Sequence, residues 1–301
     1  MMTITGVIQM NSSYAHCPDE SMQETRDDCP WAEITRKLIE SSQLESDFKK
    51  LSPEIFNQIK LDQKKSFVFN FWGKSINFDE LMQKETVKAE ILDVLFAALG
   101  TEKREDRVCH AGAIHTYGYL FSNLKTSFGY KRARWVKDDI EAGFGLKRGT
   151  LGPKPKHGSL LQNITYFAGK VAFQNNPILM SELDRLNADD DLKKWKPKNT
   201  IRLIESVVLN ENRKIELITD FVPFTHEKKS NSLLLVYSVN DSALPHPKLV
   251  TVFPVTEGFQ QGALKNLGEK QEVKPRYNAH VPELTLGLHK PLLGTRKKIE
   301  L

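Results

Sequence analysis

Four stretches decide the fold: Ile201–Leu209 (IRLIESVVL), Ile215–Val222 (IELITDFV), Ser232–Val239 (SLLLVYSV) and Leu249–Val255 (LVTVFPV). Each is short, rich in β-branched and aromatic residues, and separated from the next by a polar connection. That is the pattern of an antiparallel meander. In the first stretch Ile201, Leu203, Val207 and Leu209 share one apolar face, and in the second Ile215, Leu217 and Phe221 do. A one-residue slip would send these faces to opposite sides of the sheet. Keeping them together predicts Leu209 opposite Ile215 and Val207 opposite Leu217, joined through Glu211-Asn212-Arg213 with Asn212 in a left-handed, bulged turn. The same register sets Glu205 on the apolar face, opposite Thr219. A carboxylate there is costly to bury unless it is paired or working. Glu205 is therefore either a rim residue or a candidate catalytic group.

Upstream of the meander the chain reads as helical. Pro30 opens a helix over Trp31–Ser41, and Ser52-Pro53 provides a cap and a first-turn proline for a second. Asp79–Leu99 is predicted as the longest helix, capped by Asn77, ended by Gly100, and packing Ile91, Leu92, Leu95 and Leu99 on the sheet. Ser66–Trp72 (SFVFNFW) reads as a strand, and Pro177–Leu186 as a short helix. The fold class expected is α+β, with N-terminal helices packed on a mainly antiparallel sheet formed largely by residues 200–256. The organisation expected is a flexible acidic arm over 1–30, a single domain over 31–262 with a sub-boundary near 188–199, and a basic, proline-containing tail over 263–301 that wraps the surface.

The composition excludes several classes. With 301 residues, 40% apolar, 43 basic against 38 acidic side chains and a net charge of +5, the chain is neither collagen-like nor wholly disordered. Apolar runs are too short for a membrane helix, and the first residues lack the basic segment of a signal peptide. These features point to a soluble, cytoplasmic protein with no membrane partner. Three cysteines, Cys17, Cys29 and Cys109, leave at least one thiol unpaired.

Candidate chemistry concentrates between Cys109 and His157. His115, Tyr117 and Tyr119 line one face of a strand, or His115 and Tyr119 one face of a helix. Either way an imidazole lies near a phenol, the combination for metal-independent acid–base catalysis of hydrolase or lyase type. His110 is a second candidate base. Cys109, beside it, reads as a buried thiol rather than a nucleophile. His110 and His115 lack a carboxylate at ligand spacing, so neither a metal nor another cofactor is expected.

Residues 125–156 hold nine bases and three acids. Arg132 and Arg134 can clamp a carboxylate or phosphate and Trp135 can stack on a ring, while Lys147, Arg148 and Lys154 lie in a glycine-rich run, GFGLKRGTLGPKPKHG, that lets backbone approach an anion. This run is neither a Walker loop nor a dinucleotide fingerprint. The leading expectation is an enzyme whose small anionic or aromatic substrate is held by arginines and this loop. One alternative is an RNA-binding protein or metal-independent ribonuclease using the basic and aromatic residues of 125–157. Another is a non-enzymatic protein that binds an acidic partner. The modest net charge favours the first reading, because dedicated RNA binders are commonly more basic. Oligomeric state is not legible.

Overall fold

The computed structural model describes residues 29–301 apart from 81, 127–128, 137–138, 211–212, 227–228 and 286–291. Residues 1–28 of the expected arm, Cys17 among them, the turn residues Glu211 and Asn212, and Leu81 lie outside the described residues, while Cys29 is buried and Pro30 begins the first helix. No helix among the described residues is long and apolar enough to cross a membrane.

Helices α1 (Pro30–Ile39), α2 (Leu44–Leu51), α3 (Pro53–Lys64) and α4 (Ala89–Leu99) precede the sheet. Helix α4 is half the predicted length because Asn77 does not cap it. The Asn77 side chain instead clamps Val87, donating to its carbonyl (2.7 Å) and accepting from its N–H (3.0 Å), which holds the intervening chain in turns. The Ile91, Leu92, Leu95 and Leu99 face is buried as expected, but against the other helices rather than the sheet. Ser66–Phe71 is a 3₁₀ helix, not a strand: Val68 and Phe71 are its buried residues, and three residues make one turn of that helix.

The longest helix is α5 (Leu160–Ala172), and every residue in it is buried. Leu160, Leu161, Ile164, Phe167 and Val171 recur at helical spacing, and the polar face with Gln162, Asn163 and Lys170 is buried as well. Ser159 caps it, accepting from the Gln162 N–H (3.0 Å). Gly169 permits close packing, since a Cβ there would meet Leu183 at 2.6 Å.

The meander is observed. Strands β1 (Ile201–Asn210), β2 (Arg213–His226), β3 (Lys229–Asp241) and β4 (Lys248–Thr256) pair consecutively and antiparallel. Two further strands, β5 (Gln271–Glu272) and β6 (Leu293–Glu300), extend the sheet, whose order is β4-β3-β2-β1-β6-β5. Part of the segment expected to wrap the surface is thus built into the sheet. The first hairpin keeps its predicted faces but shifts by two residues: Val207 pairs with Ile215, Glu205 with Leu217 and Leu203 with Thr219. An irregularity between Val208 and Asn210 takes up one residue, and Asn210 then closes the ladder on Arg213.

The sheet is covered on both faces. Even-numbered residues meet α5: Arg202 donates to the Ala172 carbonyl (2.8 Å), and Phe224 joins a cluster with Phe144, Phe167 and Trp195. Odd-numbered residues meet the chain beyond β4, where Tyr277 packs edge-on against Tyr237 and Phe253. Thr251, Tyr237 and Thr219 form one cross-strand row on that second face.

Candidate functional site

The segment Cys109–Tyr119 meets the free edge of β4. His110 ends a short strand (Val108–His110), Ala111–Ala113 makes one α turn, and Ile114–Gly118 is a π-helix. Such π segments are rare and are frequent at functional sites. Gly112 lets the turn sit against Trp72, since a Cβ would come within 2.6 Å of the indole.

His115 is buried at 2% exposure, and its hydrogen bonds fix its tautomer. Ser75 Oγ donates its one proton to the Asn278 carbonyl (3.0 Å) and so accepts from His115 Nε2 (3.0 Å). Nδ1 is then the bare nitrogen, and it accepts from Thr251 Oγ1 (3.3 Å). Thr251 Oγ1 in turn accepts from Arg134 Nη1 (3.4 Å). One directed chain therefore runs from Arg134 through Thr251, His115 and Ser75 to a backbone carbonyl. Burial, then the nearby Arg134 and Lys131 charges, push the imidazole well below its ordinary value, so it is neutral at neutral pH. The Tyr119 ring meets the imidazole edge-on at 4.7 Å, and Trp135 Nε1 donates to the His115 carbonyl (2.8 Å).

Arg134 is half-buried beside two rings, with its guanidinium 4.8 Å from Tyr119 and 5.5 Å from Phe253. Burial lowers its pKa from the ordinary arginine value. Among the described residues no carboxylate pairs with it, and only Nη1 has a hydrogen-bond partner. Lys131 sits over the same Tyr119 ring (5.1 Å), but Asp79 stands 3.6 Å from its ammonium. The structure thus brings together His115, Tyr119, Arg134 and Trp135, with Ser75, Thr251 and Phe253 added from distant parts of the chain.

The other expected site residues go elsewhere. His110 faces away: Nε2 donates to the Phe69 carbonyl (3.1 Å), Nδ1 accepts from the Ala113 N–H (3.2 Å), and burial lowers the ring to about 4. Tyr117 does not partner His115. It donates to Asp62 (2.6 Å), a buried carboxylate that also accepts from Gln162 Nε2 (2.9 Å) and Ser159 Oγ. Burial outweighs these donors and raises Asp62 to about 6. Arg132, expected as the main anion clamp, is buried at 3% exposure; it donates to the Ser122 carbonyl and Asn123 Oδ1 (both 3.3 Å) and lies over Tyr130.

Glu205 is no rim residue. Because β6 covers the other edge of β1, it is 1% exposed, with Arg296 Nε at 3.2 Å and Arg276 Nη2 at 3.3 Å. Its Oε2 and the neighbouring Thr219 Oγ1 are buried and find no hydrogen-bond partner among the described residues.

The glycine-rich loop cradles an anion, but its own. The Glu141 carboxylate accepts from the backbone N–H groups of Gly149 (2.8 Å) and Leu151 (2.5 Å). Lys147 pairs with Asp191 (3.1 Å), Lys154 pairs with Glu54 (2.8 Å), and Arg148 is exposed. An open groove of about 800 Å³ lies along α2, between Gln43 and Lys50, and none of the candidate residues line it. Among the described residues no three metal-ligating side chains converge. No family model, no curated protein and no solved structure matches the chain.

Proposed function

We propose that this protein binds a small anionic ligand at Arg134. The observation that carries this reading is the unspent fork of that arginine: Nε and Nη2 have no partner among the described residues, while the guanidinium rests near two rings and is oriented through Thr251. A half-buried cation without a counter-ion is costly, and a bidentate carboxylate or phosphate relieves the cost. In this reading neutral His115 orients the arginine rather than turning over substrate. Acid–base chemistry would require Thr251 to release Nδ1 first. The nucleic-acid alternative has less behind it, since Lys147 and Lys154 already carry acidic partners.

The test is isothermal titration calorimetry with simple carboxylates and phosphates, on the wild type and on Arg134→Gln. Anion binding that falls at least tenfold in the folded variant supports the reading. Binding that survives Arg134→Gln, or retention of mixed RNA at about 50 mM salt with no small-anion binding, overturns it.

A further inference from the structure

Resting on that anion-binding reading, we infer that the ligand of Arg134 is a monocarboxylate with a flat aromatic body. The charge count around the site sets the first half of this statement. Lys131 is offset by Asp79, at side-chain exposures of 11% and 15%. His115 is neutral, because protonating Nδ1 would break the bond from Thr251 and place a third cation beside Arg134 and Lys131. Among the described residues beside the Tyr119 ring, the one positive charge left over is that of Arg134. A carboxylate cancels it. A phosphate monoester carries −1.5 to −2 near neutrality and would leave excess negative charge in a half-buried place.

Shape sets the second half. A carboxylate is planar and takes two parallel hydrogen bonds from the Nε/Nη2 edge. The guanidinium lies 4.8 Å from the Tyr119 ring and 5.5 Å from the Phe253 ring, so a ligand paired with its Nε/Nη2 edge lies beside aromatic carbon. Phe253 continues into Tyr277 at 5.4 Å, and Tyr277 into Phe259 at 6.2 Å, so an aromatic wall runs on from the guanidinium. Such a wall favours a flat ring over an aliphatic or hydrated body.

The experiment is calorimetry at pH 7 with benzoate, acetate, phenyl phosphate and inorganic phosphate, on the full chain and on Arg134→Gln, Arg134→Lys and Phe253→Leu. Melting temperatures identify which variants fold. We expect benzoate to bind at least tenfold tighter than acetate and phenyl phosphate. Arg134→Lys should lose at least tenfold for benzoate, and Phe253→Leu should lose most of the benzoate-over-acetate preference. Phenyl phosphate binding tighter than benzoate, with the same dependence on Arg134, overturns the carboxylate assignment but leaves the anion site standing. Equal affinity for acetate and benzoate overturns the aromatic body. No binding of any of the four, or binding indifferent to both Arg134 variants, overturns the class and the site together.

Discussion

Asp62 makes the protein's stability depend on pH in an unusual direction. In the unfolded chain its carboxyl titrates near 3.8, and in the folded protein burial raises it to about 6. The native state therefore holds the proton more tightly than the unfolded state. That preference is fully expressed below the unfolded value and is lost as pH rises through the folded one. A gap of about two units, at 1.36 kcal/mol per unit, amounts to ~3 kcal/mol in all, of which ~2 kcal/mol falls between pH 4 and pH 7. Carboxylates such as Asp241, held below the ordinary value first by Arg213, act in the opposite sense, so the wild-type profile alone does not isolate Asp62. Asp62→Asn does. Its carbonyl can still accept from Ser159 and Gln162, and its amide can donate to the Tyr117 oxygen. Urea melts of both proteins at pH 4, 5, 6 and 7 should show the variant less stable at pH 4 by ~1 kcal/mol, the usual value of one disturbed hydrogen bond. By pH 7 it should have gained ~2 kcal/mol relative to wild type. A difference that stays constant within ~0.5 kcal/mol across the range, well under the ~2 kcal/mol expected from linkage, refutes the argument. It would mean that Asp62 titrates alike in both states.

Three further outcomes follow from packing and burial. Leu95→Ala, at a position with no exposed surface, should cost ~2–5 kcal/mol in a urea melt, the range for a buried leucine losing its side chain. Glu141→Gln turns one acceptor into a donor facing the Gly149 or Leu151 N–H and should cost ~1–3 kcal/mol, with faster amide exchange confined to residues 149–151. Cys109, buried and pushed up to about 12 chiefly by desolvation, should resist an aromatic disulfide reagent at pH 8 until the protein is unfolded, as followed by mass spectrometry.

What the sequence made legible was local. The meander could be read because its strands alternate or run apolar over a few residues and are joined in order. Strand β6 could not, because its TRKKIE stretch is mostly charged and its partner β1 lies some ninety residues earlier. Helix α5 escaped because Gln162, Asn163, Thr165 and Lys170 interrupt its apolar character, and Gln162, Asn163 and Lys170 find their partners only in distant parts of the chain. Lys170, for example, donates to the carbonyls of Leu192 (3.1 Å) and Lys193 (2.8 Å). At the candidate site, the pairing of His115 with Tyr119 followed from helical spacing. Thr251, which links His115 to Arg134, is 136 residues from the histidine and carried no local signal. Arg132 and Arg134 look equivalent in sequence, and only folding separates them: one is spent on carbonyls, the other is not.

The late arrival of β6 has a consequence for how the chain is made. During translation residues 201–256 emerge first and can already zip into a four-stranded ribbon. The outer edge of that ribbon is β1, and it exposes Glu205 before either guanidinium has left the ribosome. Until Arg276 and then Arg296 emerge, the ribbon presents a bare row of backbone donors and acceptors with a lone acid among them. That acid discourages the edge from joining another nascent chain in the interval. The carboxylate later enclosed at the centre of the sheet thus begins as the guard of its margin.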